Sequence, residues 1–477
     1  MKNILIGLLL FSAFGYKCQT GLDLVLNDYL KDNDLLHASY GVCILDAKTG
    51  KLIKEYNSNL GLIPASTLKI VTTGAALGIL KKNYNYKTHY SILYKGDSIA
   101  NSTQTILKIT GSGDPSFNSS YFYNNDSLFF SNLLTKLKKN NITKLHSIIV
   151  DNSCIDNSIP SNWIWGDIGN YFGSGANGLS YKDNKFSIFY NSGEINSKAK
   201  IESISPKYIS KKIKIETDVL SYGTEDEAIV YGSPFDYNRK ISGTIPANKK
   251  SYEVEAQMPE PEKYFTDDLK NALKCQTTFS EKDTLITDIN SFKSKWIYTH
   301  TSPALDKIIY FTNLKSNNHY AESLLKTIGA FKSNKQGTTN NGIDEIEKYW
   351  ESKGIDTKGL HMVDGSGLSR ANTITTKIQA QILSKIFNDS LIYDSFNKSL
   401  PVAGKSGSMT NLCKDSFAEN NMRAKTGYIN RVRSYCGYVK TKSGKTLAFS
   451  VIFNYYDCSA KEMKLKIEKL LIKMADL

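Results

Sequence analysis

The sequence predicts a mixed α/β (α+β) fold in which one antiparallel sheet, flanked by helices, is assembled from the two ends of the chain and split by a large β-rich insertion of one or two domains. Three observations predict it. A helix-plus-hairpin pattern opens the chain, a strand pair followed by a helix closes it, and between about residues 83 and 290 the texture changes to short alternating strands and polar turns.

In order along the chain, residues 22–30 carry apolar side chains at helical spacing. Residues 40–46 and 51–56 are strands around the turn Ala47-Lys48-Thr49-Gly50. The segment after Pro64 is apolar nearly all round over 68–80, the pattern of a buried central helix. Within the insertion, 211–216 and 227–231 typify the short strands. Helical patterning returns at 304–314, 319–331 and 343–350, and strands at 432–439 and 446–454 close the sheet. The last segment sets Met463, Leu465, Ile467, Leu470, Leu471 and Met474 opposite lysines, a stripe that packs on the sheet rather than lying on a membrane.

A chain of 477 residues is long enough for two or three packed units, and 40% hydrophobic with 22% charged residues excludes a disordered chain. The net charge of +14 raises a polyanion as partner. The first residues redirect that idea: Met1-Lys2-Asn3 and the apolar run 4–15 read as a secretory signal, too short to span a bilayer. Ala13-Phe14-Gly15 offers a small-x-small cleavage site and a cut before Gln19 is the alternative; Tyr16-Lys17 lack the small residues that a lipidated Cys18 needs. Removing 1–18 takes away Lys2 and Lys17 and lowers the charge to +12. No later stretch reads as a transmembrane helix, and with no nucleic-acid motif present nucleic acid is not a partner. The surplus lysines suit a solvated face and a peripheral association with an anionic wall or membrane.

Export would bring cysteines to an oxidising compartment, but the six beyond Cys18 are widely spaced with no C-x-x-C pair. The six histidines are scattered, without H-E-x-x-H. No metal site and no cofactor is indicated, which leaves nucleophilic hydrolysis as the class to test.

No G-x-S-x-G elbow occurs. Serine activated by lysine is the other solution, and it needs both on one helix face, which i, i+3 supplies. Ser66-Thr67-Leu68-Lys69 does this at the mouth of the buried helix, where the dipole favours an oxyanion. The same spacing occurs at Ser197–Lys200, Ser323–Lys326 and Ser395–Lys398, and Lys-Thr-Gly occurs at 48–50 as well as 425–427. Order separates signal from coincidence: Ser66-x-x-Lys69, then Ser316-Asn317-Asn318, then Lys425-Thr426-Gly427 reproduces the S-x-x-K, S-x-N, K-T-G series of penicillin-recognising serine enzymes.

With Gly111-Ser112-Gly113-Asp114-Pro115, Trp163-Ile164-Trp165-Gly166-Asp167, Asp364-Gly365-Ser366-Gly367-Leu368-Ser369-Arg370, Leu400-Pro401-Val402-Ala403-Gly404 and Arg423-Ala424 in the same order, the chain resembles the penicillin-binding protein 4 group over nearly its whole length. These are the low-molecular-mass class C D,D-carboxypeptidases/endopeptidases of peptidase family S13. The resemblance implies a serine β-lactamase/DD-peptidase-like catalytic domain of 19–82 plus 290–477, an inserted domain of 83–183 plus 258–289 and a β-rich inserted domain of 184–257. It implies removal of terminal D-Ala from peptidoglycan stem peptides, cleavage of D-Ala–diaminopimelate cross-links, covalent inhibition by β-lactams, a periplasmic location and a homodimer as one assembly to consider. Ser66 would be the nucleophile, Lys69 its base, Ser316 a proton relay, and Asn318 a clamp on Lys69 and the substrate amide. Lys425 and Thr426 would receive the terminal carboxylate. The N–H groups of Ser66 and Tyr428 would form the oxyanion hole, with Gly427 allowing close approach. Asp167, Arg370 and Asn430 would surround the amino-bearing side chain of the stem; Asn430 and Tyr428 depart from the family's usual Gln and Thr or Ser, while the backbone roles at these positions do not depend on the side chain. Two alternatives stand beside this reading: a serine β-lactamase, which needs a water-activating base that no E-x-x-x-N element supplies, and a non-catalytic wall-binding protein.

Overall fold

A computed structural model describes residues 21–123, 126–274, 278–279 and 291–477; the expected signal segment 1–18 lies outside them. The two ends of the chain meet in one five-stranded antiparallel sheet, ordered Leu52–Tyr56, Ser39–Asp46, Thr446–Asn454, Val432–Lys440, Arg423–Ile429. Both faces are covered, so the central strands are buried nearly throughout. Val42 and Ile44 point to the face that packs the helices Gly21–Leu30 and Ala460–Ala475, through Leu22, Leu26, Ile467 and Leu470. Cys43 and Leu45, one residue out of phase, meet Ala380 of the helix Thr376–Phe387 on the opposite face. Leu465 is the exception in the terminal stripe, remaining 51% exposed.

Behind Thr376–Phe387 lies the helix Lys69–Leu80, buried on all sides as its composition predicts. Each of Ile70, Val71 and Leu77 contributes about 1.5–3 kcal/mol by burial. Gly74 sits where a Cβ would come 2.8 Å from Ile386 and 3.0 Å from Trp350, so neighbouring elements approach this helix to backbone contact. Leu305–Leu314, Asn318–Ser333 and Thr339–Ser352 complete the helical layer.

The insertion carries a four-stranded sheet, Lys293–Thr301, Lys87–Lys95, Gln104–Thr110, Ser147–Asp151, and the three-stranded sheets Tyr252–Gln257, Lys185–Asn191, Lys200–Ser205 and Lys214–Thr217, Asn238–Ser242, Ile229–Tyr231. One continuous hydrophobic cluster runs through them, from Tyr90 to Ile297. Lys293–Thr301 pairs with Lys87–Lys95 over its length, which joins the chain just after residue 290 to the four-stranded sheet. Two helices of the same region, Asp126–Lys139 and Pro261–Leu273, lie among these strands and seal that cluster with their apolar faces. The 211–216 strand begins later than its pattern indicates, because a 3-10 turn takes Ile209–Lys211.

Candidate active site

Ser66 lies in a 3-10 turn, Ala65–Leu68, that runs directly into Lys69–Leu80. The turn is forced: Ala65 has φ +47°, a left-handed conformation that costs a residue bearing a Cβ about 1–3 kcal/mol. Surrounding contacts hold it there. The Pro64 carbonyl accepts from Thr67 Oγ1 at 2.7 Å and from Ser434 Oγ at 2.5 Å, and Gln379 Nε2 donates to the Thr67 carbonyl at 3.0 Å. Gly427, on the strand that crosses this turn, permits no side chain: a Cβ would lie 2.2 Å from Ser434 Oγ, 2.6 Å from the Pro64 oxygen and 3.1 Å from the Ser66 nitrogen.

One helical turn beyond Ser66, the fully buried Lys69 Nζ sits 3.0 Å from Ser66 Oγ, 2.6 Å from Asn318 Oδ1 and 2.7 Å from the Ser366 carbonyl. Burial pushes its ammonium well below the ordinary lysine range, the neighbouring Lys425 adds to this, and Asp364 and Glu322 oppose it. A neutral amine has two N–H groups and one lone pair. The two shorter contacts occupy the N–H groups and leave the lone pair for the serine hydroxyl, the geometry of a general base.

Ser316 precedes the helix Asn318–Ser333, whose first turn is capped by Asn317 Oδ1 on the Tyr320 N–H at 3.1 Å. That cap aims Asn318 back at Lys69, while Asn318 Nδ2 gives one hydrogen to the Phe172 carbonyl at 2.8 Å. Lys425 Nζ donates to Ser316 Oγ at 2.9 Å and to the Thr426 carbonyl at 2.7 Å; burial pushes it down to about 7. Thr426 Oγ1 donates to Ser408 Oγ at 2.6 Å. The three motifs, 359 residues apart from Ser66 to Lys425, therefore form one hydrogen-bonded group around Ser66.

Above them opens a cavity of about 740 Å³. Ser66, Ser316, Asn318 and Tyr428 line it, as do Asp167, Arg370 and Asn430; Lys69, Lys425 and Gly427 are buried and do not line it. Arg370 Nη1 donates to the Asn430 carbonyl at 3.1 Å. The half-buried Asp167 carboxyl is raised by burial and drawn down by the Arg370 guanidinium. The Tyr428 ring is stacked against the Arg433 guanidinium at 4.8 Å.

The family stretch Asp364–Arg370 folds against the Ser66 turn, where a Cβ on Gly367 would lie 1.9 Å from the Ala65 oxygen. It is the wall that holds Lys69. Asp364 accepts the Gly367 and Ser369 N–H groups at 2.7 and 2.8 Å, Asn372 Nδ2 at 2.8 Å and Trp163 Nε1 at 2.9 Å. Glu322 was missed: buried one turn into the Asn318 helix, it accepts the Gly365 and Ser366 N–H groups at 3.0 and 2.8 Å, and burial beside Asp364 raises its carboxyl. Glu322 stands four residues after Asn318, on the same helix face, but a single carboxylate at that spacing carries no signal of its own in the sequence. Asp114 is also scaffold, capping Ser116 N at 2.8 Å, its carboxyl pushed up to about 6 by burial.

The competing motifs resolve as structural. Lys326 Nζ pairs with Asp156 at 2.6 Å, Lys398 pairs with Asp394 at 2.7 Å, and Ser197 Oγ donates to the Glu194 carbonyl at 2.6 Å. Lys48-Thr49-Gly50 is a hairpin turn with Gly50 at φ +70°. Cys43, Cys154, Cys413, Cys436 and Cys458 are free thiols.

A sequence model of the D-Ala-D-Ala carboxypeptidase 3 (S13) family matches residues 22–474. The chain is 25% identical over 443 residues to a D-alanyl-D-alanine carboxypeptidase of Actinomadura sp. strain R39, covering 89% of this chain and 79% of that one. It is 22% identical over 444 residues to the D-alanyl-D-alanine carboxypeptidase DacB of Haemophilus influenzae, covering 90% and 88%. The crystal structure of penicillin-binding protein 4 from Haemophilus influenzae superposes with a TM-score of 0.75 at 19% identity, covering 95% of this chain and 99% of that one.

Proposed function

From the premise that the chain belongs to the D-Ala-D-Ala carboxypeptidase 3 (S13) family, we propose that its reaction runs through an acyl-enzyme on Ser66 with Lys69 as base. The protein is a serine D,D-peptidase of peptidoglycan metabolism, a serine-type D-Ala-D-Ala carboxypeptidase that also binds β-lactams. The observation that carries the residue assignment is the buried Lys69 Nζ at 3.0 Å from Ser66 Oγ.

In this reading Ser66 Oγ attacks the carbonyl of the penultimate D-Ala as its proton passes to neutral Lys69. The oxyanion is received by the N–H groups of Ser66 and Tyr428, which the side-chain-free Gly427 lets converge. Ser316, already bonded to Lys425, carries a proton to the departing D-alanine nitrogen; water then repeats the sequence and releases the shortened stem. The terminal carboxylate docks on Lys425 and Thr426, and its arrival favours the charged form of a lysine that burial holds near 7. The second hydrogen of Asn318 Nδ2 is assigned to the substrate amide. Asp167, Arg370 and Asn430 are assigned to the side chain of the third stem residue, and cross-link cleavage is the same attack with a longer leaving group.

Action in the bacterial periplasm, after loss of 1–18, and attraction to an anionic wall through the lysine surplus belong to this proposal. Incubation with pentapeptide and with cross-linked muropeptides, followed by mass analysis of the products, tests it. Release of D-alanine by the wild type and not by Ser66→Ala is the expected result; release by both would refute the assignment.

A further inference from the structure

A second groove of about 680 Å³ adjoins the catalytic cavity on the insertion and is lined by Trp165, Tyr231, Lys214, Asn238 and Arg239 among others. Two elements are shared between cavity and groove. Asp167 faces the first and Trp165, two residues earlier on the turn Trp165–Ile168, the second. Ile229 lines the first and Tyr231 the second; along that strand they are about 7 Å apart.

The chemistry of the groove is specific. Trp165 leaves 57% of its surface exposed, an open aromatic face beside Tyr231. The charges largely cancel, with Lys240 paired to Glu216 at 3.4 Å and Arg239 to Asp236 at 3.7 Å. Arg239 is itself buried, passing through space left by Gly232, where a Cβ would lie 2.5 Å from its Cδ. Its guanidinium donates to the Asp236, Asn238 and Gln257 carbonyls and to Gln257 Oε1, while Nε is buried with no acceptor. Aromatic faces with neutralised charge and fixed polar groups suit a neutral polyhydroxyl ligand better than a polyanion. The polarised C–H face of a pyranose lies on the negative face of an indole or phenol ring.

We propose that this groove binds the N-acetylated amino-sugar glycan of the strand whose stem peptide is held at Ser66, with Trp165 and Tyr231 stacking on sugar rings and Lys214 and Asn238 donating to hydroxyl and acetamido oxygens. The polymer's identity rests on the proposed function; the groove's preference for a saccharide does not. Four stem residues between glycan and scissile bond reach at most about 14 Å, so the sugar must dock close to the catalytic cavity.

Two measurements test this on the full chain. First, kcat/KM for a free pentapeptide is compared with that for the same pentapeptide on a peptidoglycan disaccharide. Trp165→Ala and Tyr231→Ala each lower the glycan-linked value about tenfold, mainly through KM, the factor expected for losing one well-packed aromatic contact. The free-peptide value stays within about twofold, the usual range for a surface substitution. An equal fall on both substrates, or none on either, overturns the proposal. Second, calorimetric titration with a peptide-free N-acetylglucosamine–N-acetylmuramic acid tetrasaccharide shows binding to the wild type and none to the double variant, which still becomes acylated by penicillin. No binding to the wild type, or equal binding to both, overturns the groove while leaving Ser66 untouched. Failure of the wild type to be acylated would instead count against the proposed function.

Discussion

Glu322 positions Ser366: its carboxylate accepts the Ser366 N–H at 2.8 Å, and the Ser366 carbonyl in turn accepts Lys69 Nζ at 2.7 Å. A helix that brings Asn318 to Lys69 thus also fixes the loop that makes the third contact to the Lys69 amine. Glu322→Ala leaves two buried N–H groups without an acceptor, a loss of about 1–3 kcal/mol each at most. We expect a lower urea midpoint and acylation by penicillin slowed by more than the stability loss removes folded protein. Glu322→Gln, which keeps one acceptor, should recover part of both. Unchanged acylation in Glu322→Ala would show that Lys69 is placed without this loop.

The pH dependence of stability follows from Lys425. Its folded value of about 7 lies below the ordinary 10.5, so between those values the unfolded chain holds a proton that the folded chain lacks, and stability rises with pH across that window. The contribution is fully gained only above the unfolded value. Urea midpoints of the wild type and Lys425→Met, measured at pH 7 and pH 9.5, should diverge in favour of the wild type at the higher pH. Parallel behaviour would contradict the burial-driven shift. Over the same window KM for a carboxylate-ended substrate should rise as Lys425 loses its charge.

Gly427→Ala is expected to be severe at the site. The new methyl meets Ser434 Oγ, the Pro64 oxygen and the Ser66 nitrogen, two of them main-chain atoms of a strained turn that cannot retreat. Overpacking of this kind costs about 1–3 kcal/mol, so the variant should fold while its acylation rate falls by about two orders of magnitude or more. Near-normal acylation would remove Gly427 from the oxyanion geometry.

The second buried Ser-x-x-Lys pair makes the converse prediction. Lys326 is held by Asp156 and by the Asp156 and Ser158 carbonyls at 3.0 and 2.8 Å. Lys326→Met should lose about 1–3 kcal/mol of stability, because the Asp156 and Ser158 carbonyls lose their buried donor while the partly exposed Asp156 carboxylate can turn to water. Ser323→Ala should leave penicillin acylation unchanged, and a labelling defect in Ser323→Ala would reopen the choice of nucleophile.

Much of this was legible in the sequence, for reasons that differ by element. The buried helix Lys69–Leu80 and the strands Ser39–Asp46 and Thr446–Asn454 show themselves because their residues are apolar on every side that neighbours cover. The three motifs stand out by their order in the sequence, and the fold brings them together, Lys69 Nζ on Asn318 and Lys425 Nζ on Ser316. Glu322 does not stand out: one carboxylate on an ordinary amphipathic helix acquires meaning only when the Gly365–Ser366 backbone is brought against it. The link from Trp163 to Asp364 spans 201 residues and two parts of the fold, and Trp163 read only as part of a family stretch. The closing strand Lys293–Thr301 alternates no differently from its predecessors, so its partner Lys87–Lys95 was hidden until pairing was observed.

The intact mass of the protein after incubation with penicillin, with tryptic mapping of the adduct, decides the chemistry at Ser66. A single penicilloyl adduct on the Ser66 peptide, absent in Ser66→Ala and strongly slowed in Lys69→Met, is the predicted result. An adduct on another serine, or undiminished labelling of Ser66→Ala, would contradict it.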